Sequence, residues 1–284
     1  SIQIIQGLFR PAGASALLAA LILASFSTIS QADAGYDSGA AQLKQIKQIK
    51  TPSRKAKGVI LFVGDGMSMA TITAARIFEG QQQGETGEEN LLSFEEFPAT
   101  ALSKTYALNR QVPDSASTMT AMVTGTKTNF WTLSVDKSNT EEQCDTGWLK
   151  TILEMAEEEG LSTGVVSTAR LTHATPGATF AHSANRGWEG NAENEKCPDI
   201  ASQLIDFNYG DGLEVALGGG KSFFVPTDDV GKREDGRNLP SEWQTKNGSE
   251  LVENTQGLLQ ASPDTKNLLG LFSDSHMDFE LARD

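Results

Sequence analysis

The stretch GVILFVGDGM, Gly58 to Met67, constrains the fold more than any other. Val59 to Val63 is a continuous apolar run, and Gly64-Asp65-Gly66 closes it. Apolar residues at odd and even positions alike suit a strand buried on both faces. Such strands belong to parallel sheets covered by helices. The run therefore predicts an α/β chain, a three-layer sandwich with a mostly parallel central sheet. Later segments fit that pattern. MSMATITAARIFEG reads as a helix stopped by Gly80, and the acidic, Gln- and Gly-rich segment to about Glu96 reads as a surface loop. TGWLKTILEMAEEEG reads as a second helix ending at Gly160 and running directly into the strand-like LSTGVVST, residues 161–168. LEVALGGG reads as a further strand into a glycine turn, and the final FELARD reads as helical.

Three segments precede or make up this body. In residues 1–34 the apolar ASALLAALILASFSTIS follows Arg10 and leads into Gln31-Ala32-Asp33-Ala34, an A-x-A cleavage pattern. That reads as an export signal, leaving no stable membrane span after cleavage; an uncleaved anchor or a buried helix is the alternative. Residues 35–57 form an arm or linker. Its LKQIKQIKTPSRKAK carries six positive charges, with Leu43, Ile46 and Ile49 at three-residue spacing before Pro52. Residues 58–284 form the globular part. Because the chain opens on Ser and stops within FELARD, it is expected to be a fragment. An exported protein is periplasmic or secreted, and there Cys144 and Cys197 either form a disulfide or stay as two thiols. A formal net charge of -14 argues against a nucleic-acid partner, which calls for a basic face.

In parallel sheets, ligands bind beyond the carboxyl ends of the strands. Asp65 falls at such a place, between two glycines that leave its carboxylate unobstructed. A turn residue with no ligand would look the same. In VPDSASTMTAMVTGTKT, Val112 to Thr128, Asp114-Ser115 precedes an apolar run, so the pair reads as a helix cap or as a nucleophile at a helix start. ARLTHATPGATFAHSANR adds His173, Thr175, His182 and Arg186. Thr and His can ligate metal, and a guanidinium can hold two phosphate oxygens. A serine hydroxyl attacks phosphorus only when a base or a metal activates it. With three histidines and no Ser-His-Asp order, metal activation suits these residues better. A chain this acidic also repels phosphate unless metals and an arginine reverse the sign locally.

GVILFVGDGM, VPDSASTMTAMVTGTKT and THATPGATFAHSANR, in this order, resemble the alkaline phosphatase family. The similarity continues through CPDIASQLI, LEVALGGGKSFFVP and GLFSDSHMDFELARD, and so covers nearly everything after residue 57. The resemblance implies hydrolysis of small phosphate monoesters through a phosphoserine at Ser115, with two zinc ions and one magnesium as cofactors. It implies that Asp65 bridges a zinc and the magnesium, that Ser115 lies at that zinc, and that Thr175 ligates magnesium. His173 stands where the family varies between Asp and His, which bears on the identity of the third metal. Arg186 would hold two phosphate oxygens, with Asp114 orienting it. Cys144 and Cys197 match positions bridged in animal members. His182 and His276 have no ligand role in the pattern and are assigned to structure. A homodimer is implied as well.

The family's remaining zinc and magnesium ligands come from a later half, so residues 35–284 alone are expected to be inactive. Zinc normally takes four ligands, more than Asp65, His173 and Thr175 supply. Two other readings stand beside this one. A phosphodiesterase of the same superfamily would share the architecture, whereas a sulfatase needs a C/S-x-P-x-R setting that Ser115-Ala116-Ser117 does not offer. A phosphate-binding protein without turnover could use Asp114, Ser115 and Arg186 as its ligands.

Overall fold

A computed structural model of the chain describes residues 56–246 and 248–283, together with positions 39, 41, 43, 44, 47 and 48. The expected export signal lies outside the described residues, as do Ile46, Ile49 and Pro52 of the arm; Leu43 of that arm is helical and exposed. No helix among the described residues is long and apolar enough to cross a membrane.

The described chain divides into two units. The first runs up to Val63 and includes Met67–Leu102; the second comprises Gly64–Gly66 and everything from Ser103 onward.

The first unit is built on helix α1, Met69–Gln82, whose N-terminus is capped by the Ser68 hydroxyl accepting from the Thr71 N–H. Gly80 does not stop this helix. It is buried, and a Cβ there would lie 2.6 Å from Cα of Gly87, so the glycine permits a close backbone approach in place of termination. The expected strand at Val59–Val63 is also absent. The run carries no ladder pairing, and its residues are exposed, Phe62 at 86%. Apolar character fills a strand only where a neighbouring strand satisfies the backbone N–H and C=O groups, and no described residue does so here.

The second unit holds the sheet. Its elements in chain order are α2 (Ser115–Thr124), α3 (Ile152–Glu158), β1 (Gly164–Arg170), the single turn α4 (Ala174–Gly177), α5 (Ile200–Ile205), β2 (Val215–Gly219), α6 (Leu239–Thr245), β3 (Ser249–Val252), α7 (Thr255–Gln260) and β4 (Asn267–Leu271). The strands lie in the order β1-β2-β4-β3, and all three pairings are parallel. This is the α/β class expected, and its parallel strands are joined through helices as parallel pairing requires. Leu171, Ala216, Leu269 and Leu271 join Met119, Val123, Ile200, Leu204 and Trp243 in one buried core. Strand β1 starts three residues later than the expected 161–168, and FELARD forms only a 3-10 turn at Glu280–Ala282.

Polar clamps and a disulfide hold this unit together. Arg233 is fully buried and paired with Asp199 and Asp235. His182 lies between the Ser134 carbonyl (2.8 Å) and Glu154 (2.7 Å) and stacks on Trp148. Cys144 and Cys197 are joined in a disulfide.

Candidate active site

Helix α2 presents Ser115. Asp114 is its N-cap, the carboxylate accepting from the Ser117 N–H at 3.2 Å and the Ser117 hydroxyl at 2.9 Å. Gly125, left-handed at φ 72°, closes the other end. Capping by Asp114 leaves Ser115 free at the first helical position. There the first-turn N–H groups and the helix dipole favour negative charge. Cap and candidate nucleophile are thus neighbouring residues with separate tasks.

Arg186 is brought to Ser115 by a short antiparallel pairing. Leu133 and Ser183 exchange both backbone hydrogen bonds at 2.9 Å, and the Arg186 N–H donates to the Trp131 carbonyl at 2.9 Å. The Ser134 N–H is anchored on the Thr120 hydroxyl of α2 at 2.8 Å. The Arg186 guanidinium then reaches back. Its Nη1 donates to Asp114 Oδ2 and to Ser115 Oγ, both at 3.0 Å, and Nη2 lies 3.0 Å from Nε2 of His173. Arg186 and Asp114 are largely buried, 13% and 8% exposed at their side chains. Burial opposes the charge of Asp114, but the Trp131 N–H, Ser117 and the Arg186 guanidinium outweigh it and hold the carboxyl below its usual range.

His173 follows the carboxyl end of β1 and is the N-cap residue of α4. Burial and the neighbouring Arg186 push its imidazole below the ordinary histidine value. A guanidinium can only donate, so Nε2 accepts and the ring is neutral. Its Nδ1 is buried without a partner. Thr175, two residues on, donates its hydroxyl to Asp65 Oδ2 at 2.6 Å across 110 residues of sequence. Asp65 itself is exposed in the turn that ends at Gly66.

Ser115, Asp114, Arg186 and His173 are therefore in one hydrogen-bonded group, and Asp65 with Thr175 forms a second. An oxygen pair such as Asp65–Thr175 suits a hard cation, and a neutral imidazole is the form that ligates metal. The residues fit a metal site in part only. Among the described residues no three of His, Cys, Asp and Glu come together as a metal-holding group.

Several neighbours were not legible as site residues. Arg170, at the end of β1, makes a bidentate pair with the buried Glu189 at 2.8 and 2.7 Å, and Thr172 also donates to Glu189. His276, which follows β4, lies 2.7 Å from Arg170 Nη1, and its ring meets His173 edge-on at 5.1 Å. Trp131 donates its N–H to Asp114 Oδ1 at 3.2 Å and lies beneath the Arg186 guanidinium. Nothing in the local sequence marks Glu189 or Trp131 as part of this cluster.

These features define a class of parallel α/β proteins in which a largely buried arginine lies against a helix-start serine. Within that class the chain belongs to the alkaline phosphatase family, whose profile matches residues 56–284. It is 42% identical to the membrane-bound alkaline phosphatase of Bombyx mori over 83% of this chain and 47% of that protein. It is 43% identical to the tissue-nonspecific alkaline phosphatase isozyme of Gallus gallus over 80% of this chain and 48% of that one. The crystal structure of Thermus thermophilus alkaline phosphatase superposes with a TM-score of 0.65 at 30% identity, covering 83% of this chain and 44% of that one. The chain spans about half the length of the curated relatives it matches.

Proposed function

We propose that this chain carries the nucleophile and the phosphate clamp of a phosphomonoesterase. The observation that carries the reading is the Arg186 guanidinium, which contacts Asp114 and Ser115 at 3.0 Å each. Asp114 anchors Nη1 of that guanidinium through one hydrogen bond. A phosphoryl group placed against Ser115 would meet the Arg186 donors on two of its nonbridging oxygens, where the charge of the transition state accumulates. Ser115 Oγ attacks phosphorus as its hydroxyl proton is lost, the ester oxygen departs with the bonding electron pair and takes up one proton, and water then cleaves the phosphoserine to inorganic phosphate and restores the serine hydroxyl. The N–H groups at the start of α2 support the added negative charge.

Zinc and magnesium are the cofactors proposed, with Asp65, Thr175, His173 and Ser115 as this chain's contribution to holding them. When bound, such cations lower the pKa of a hydroxyl and offset phosphate charge. The neutral state of His173 and the Asp65–Thr175 pair support those assignments. The Cys144–Cys197 disulfide supports an exported, oxidising location, periplasmic or secreted. A homodimer rests on the family resemblance alone.

The test is trapping. The whole protein, supplied with zinc and magnesium and quenched in acid during turnover of a phosphate monoester, should yield a peptide phosphorylated at Ser115. Ser115→Ala should lose both the adduct and the turnover. Reversible phosphate binding with no adduct and no turnover would refute the reading and leave a binding protein.

A further inference from the structure

Trp131 adopts a backbone conformation that bulky side chains rarely take, left-handed at φ 81°. Glycine would take it without penalty. The surroundings hold the tryptophan there. Its N–H donates to Asp114 Oδ1 at 3.2 Å, its carbonyl accepts from Arg186 N–H at 2.9 Å, and its indole N–H donates to Asn185 Oδ1 at 2.9 Å. Asn185 is fixed in turn, donating to Glu141 at 2.7 Å.

This anchoring does not bury the ring, because Trp131 remains 44% exposed. A tryptophan kept only for packing would be buried and would not need a disfavoured backbone. The ring is displayed beside the reacting group. Its centroid lies 5.2 Å from the Arg186 guanidinium carbon, and that guanidinium donates to Ser115 Oγ at 3.0 Å. Phe130 extends the surface, stacked at 5.5 Å with 25° between ring planes, and Arg110 lies 4.3 Å from the Phe130 centroid. Two cations thus bracket two stacked aromatic rings, one guanidinium away from the candidate nucleophile.

We propose that Trp131, with Phe130 alongside, is a specificity-determining platform for the organic part of the ester. It takes planar aromatic groups, such as phenols and naphthols, whose phosphoryl end rests on Arg186. The proposal rests on the phosphomonoesterase reading above. Stacking acts in the ground-state complex and in the transition state alike, so the effect falls on KM more than on kcat.

The experiment compares 1-naphthyl phosphate with glycerol 2-phosphate as substrates of the whole protein. It is run on the wild type, Trp131→Gly, Trp131→Asn and Trp131→Phe. Gly and Asn both tolerate a left-handed φ, so neither replacement strains the backbone. The naphthyl-to-glycerol ratio of kcat/KM should fall about tenfold in the Gly and Asn variants, carried by KM, because a stacked aromatic pair contributes on that scale. Trp131→Phe should recover most of the preference. A ratio within about twofold of wild type in both the Gly and Asn variants would overturn the platform.

A binding arm separates this failure from the other. Calorimetric Kd values for phenylphosphonate and methylphosphonate should show an aromatic preference that the Gly and Asn variants lose. If the wild type hydrolyses neither ester, the phosphomonoesterase reading falls, and the phosphonate ratio alone decides. Loss of the preference supports the platform, and an unchanged ratio overturns it.

Discussion

Replacing Asp114 tests whether the site is held together as described, and it can be read without any turnover. The carboxylate has four donors: the Ser117 N–H (3.2 Å), the Ser117 hydroxyl (2.9 Å), the Trp131 N–H (3.2 Å) and Arg186 Nη1 (3.0 Å). Asp114→Ala removes every one of these acceptors. Loss of a helix cap costs about 1 kcal/mol. A buried N–H left without a partner costs about 1–3 kcal/mol. Removing one member of a buried ion pair costs about 3–5 kcal/mol, although Arg186 keeps Ser115 and His173 as neighbours, which lowers that figure. These contributions share partners and do not add, so the expected loss is about 3–5 kcal/mol. Asp114→Asn keeps the Oδ1 acceptor for Ser117 and Trp131 but sets an amide N–H against the Arg186 guanidinium. About 1–2 kcal/mol is expected there.

Urea unfolding at pH 7, followed by tryptophan fluorescence and near-ultraviolet circular dichroism, measures both losses. The sign of the pH dependence provides a second check. Because the folded carboxyl lies below its unfolded value of 3.8, its stabilisation is fully present above that value and disappears as pH falls through the lower folded one. The gap between wild type and Asp114→Asn should therefore narrow in strong acid. An alanine variant that loses less than about 1 kcal/mol at pH 7 would refute this account, because no cap worth the name would have been removed.

Two further outcomes follow from buried charge away from the site. Arg233→Met should cost about 3–5 kcal/mol, since it strands Asp199, whose carboxylate also caps α5 through the Ser202 N–H; adding Asp199→Asn should recover a large part in the same urea assay. Glu157 is buried with Oε2 unpartnered, and burial together with Glu214 and Asp211 raises its carboxyl above the ordinary 4.5. Its charge therefore opposes folding above that pH, so Glu157→Gln should stabilise by about 1 kcal/mol at pH 7 and lose that advantage below pH 4.5, as thermal melts at the two pH values would show.

What the sequence made legible depended on whether the cause was local. Strands β1 and β2 could be read because β-branched and small apolar residues run into glycine or a polar turn within a few positions. β3 and β4 could not: SELV is four residues long, and NLLGL is as apolar as many helix faces. The Val59–Val63 run shows the reverse error, since periodicity reports what a segment could bury and not whether a neighbouring strand stands beside it. Gly80 misleads for a related reason, because a glycine that ends a helix and one that admits another backbone look identical in one dimension.

The site divides along the same line. The cap by Asp114 is local, whereas its contact with Arg186 spans 72 residues, and only several motifs taken together brought that pair to notice. Trp131 lies beyond both kinds of reading. Its left-handed backbone is imposed by Asp114, Arg186 and Asn185 at once, and no residue type announces a conformation that it disfavours. A strained, half-exposed aromatic held by the same carboxylate that orients the arginine couples binding surface to clamp. A substitution at Asp114 should therefore loosen Trp131 and Arg186 together, and the near-ultraviolet signal of the indole should move with the loss of stability.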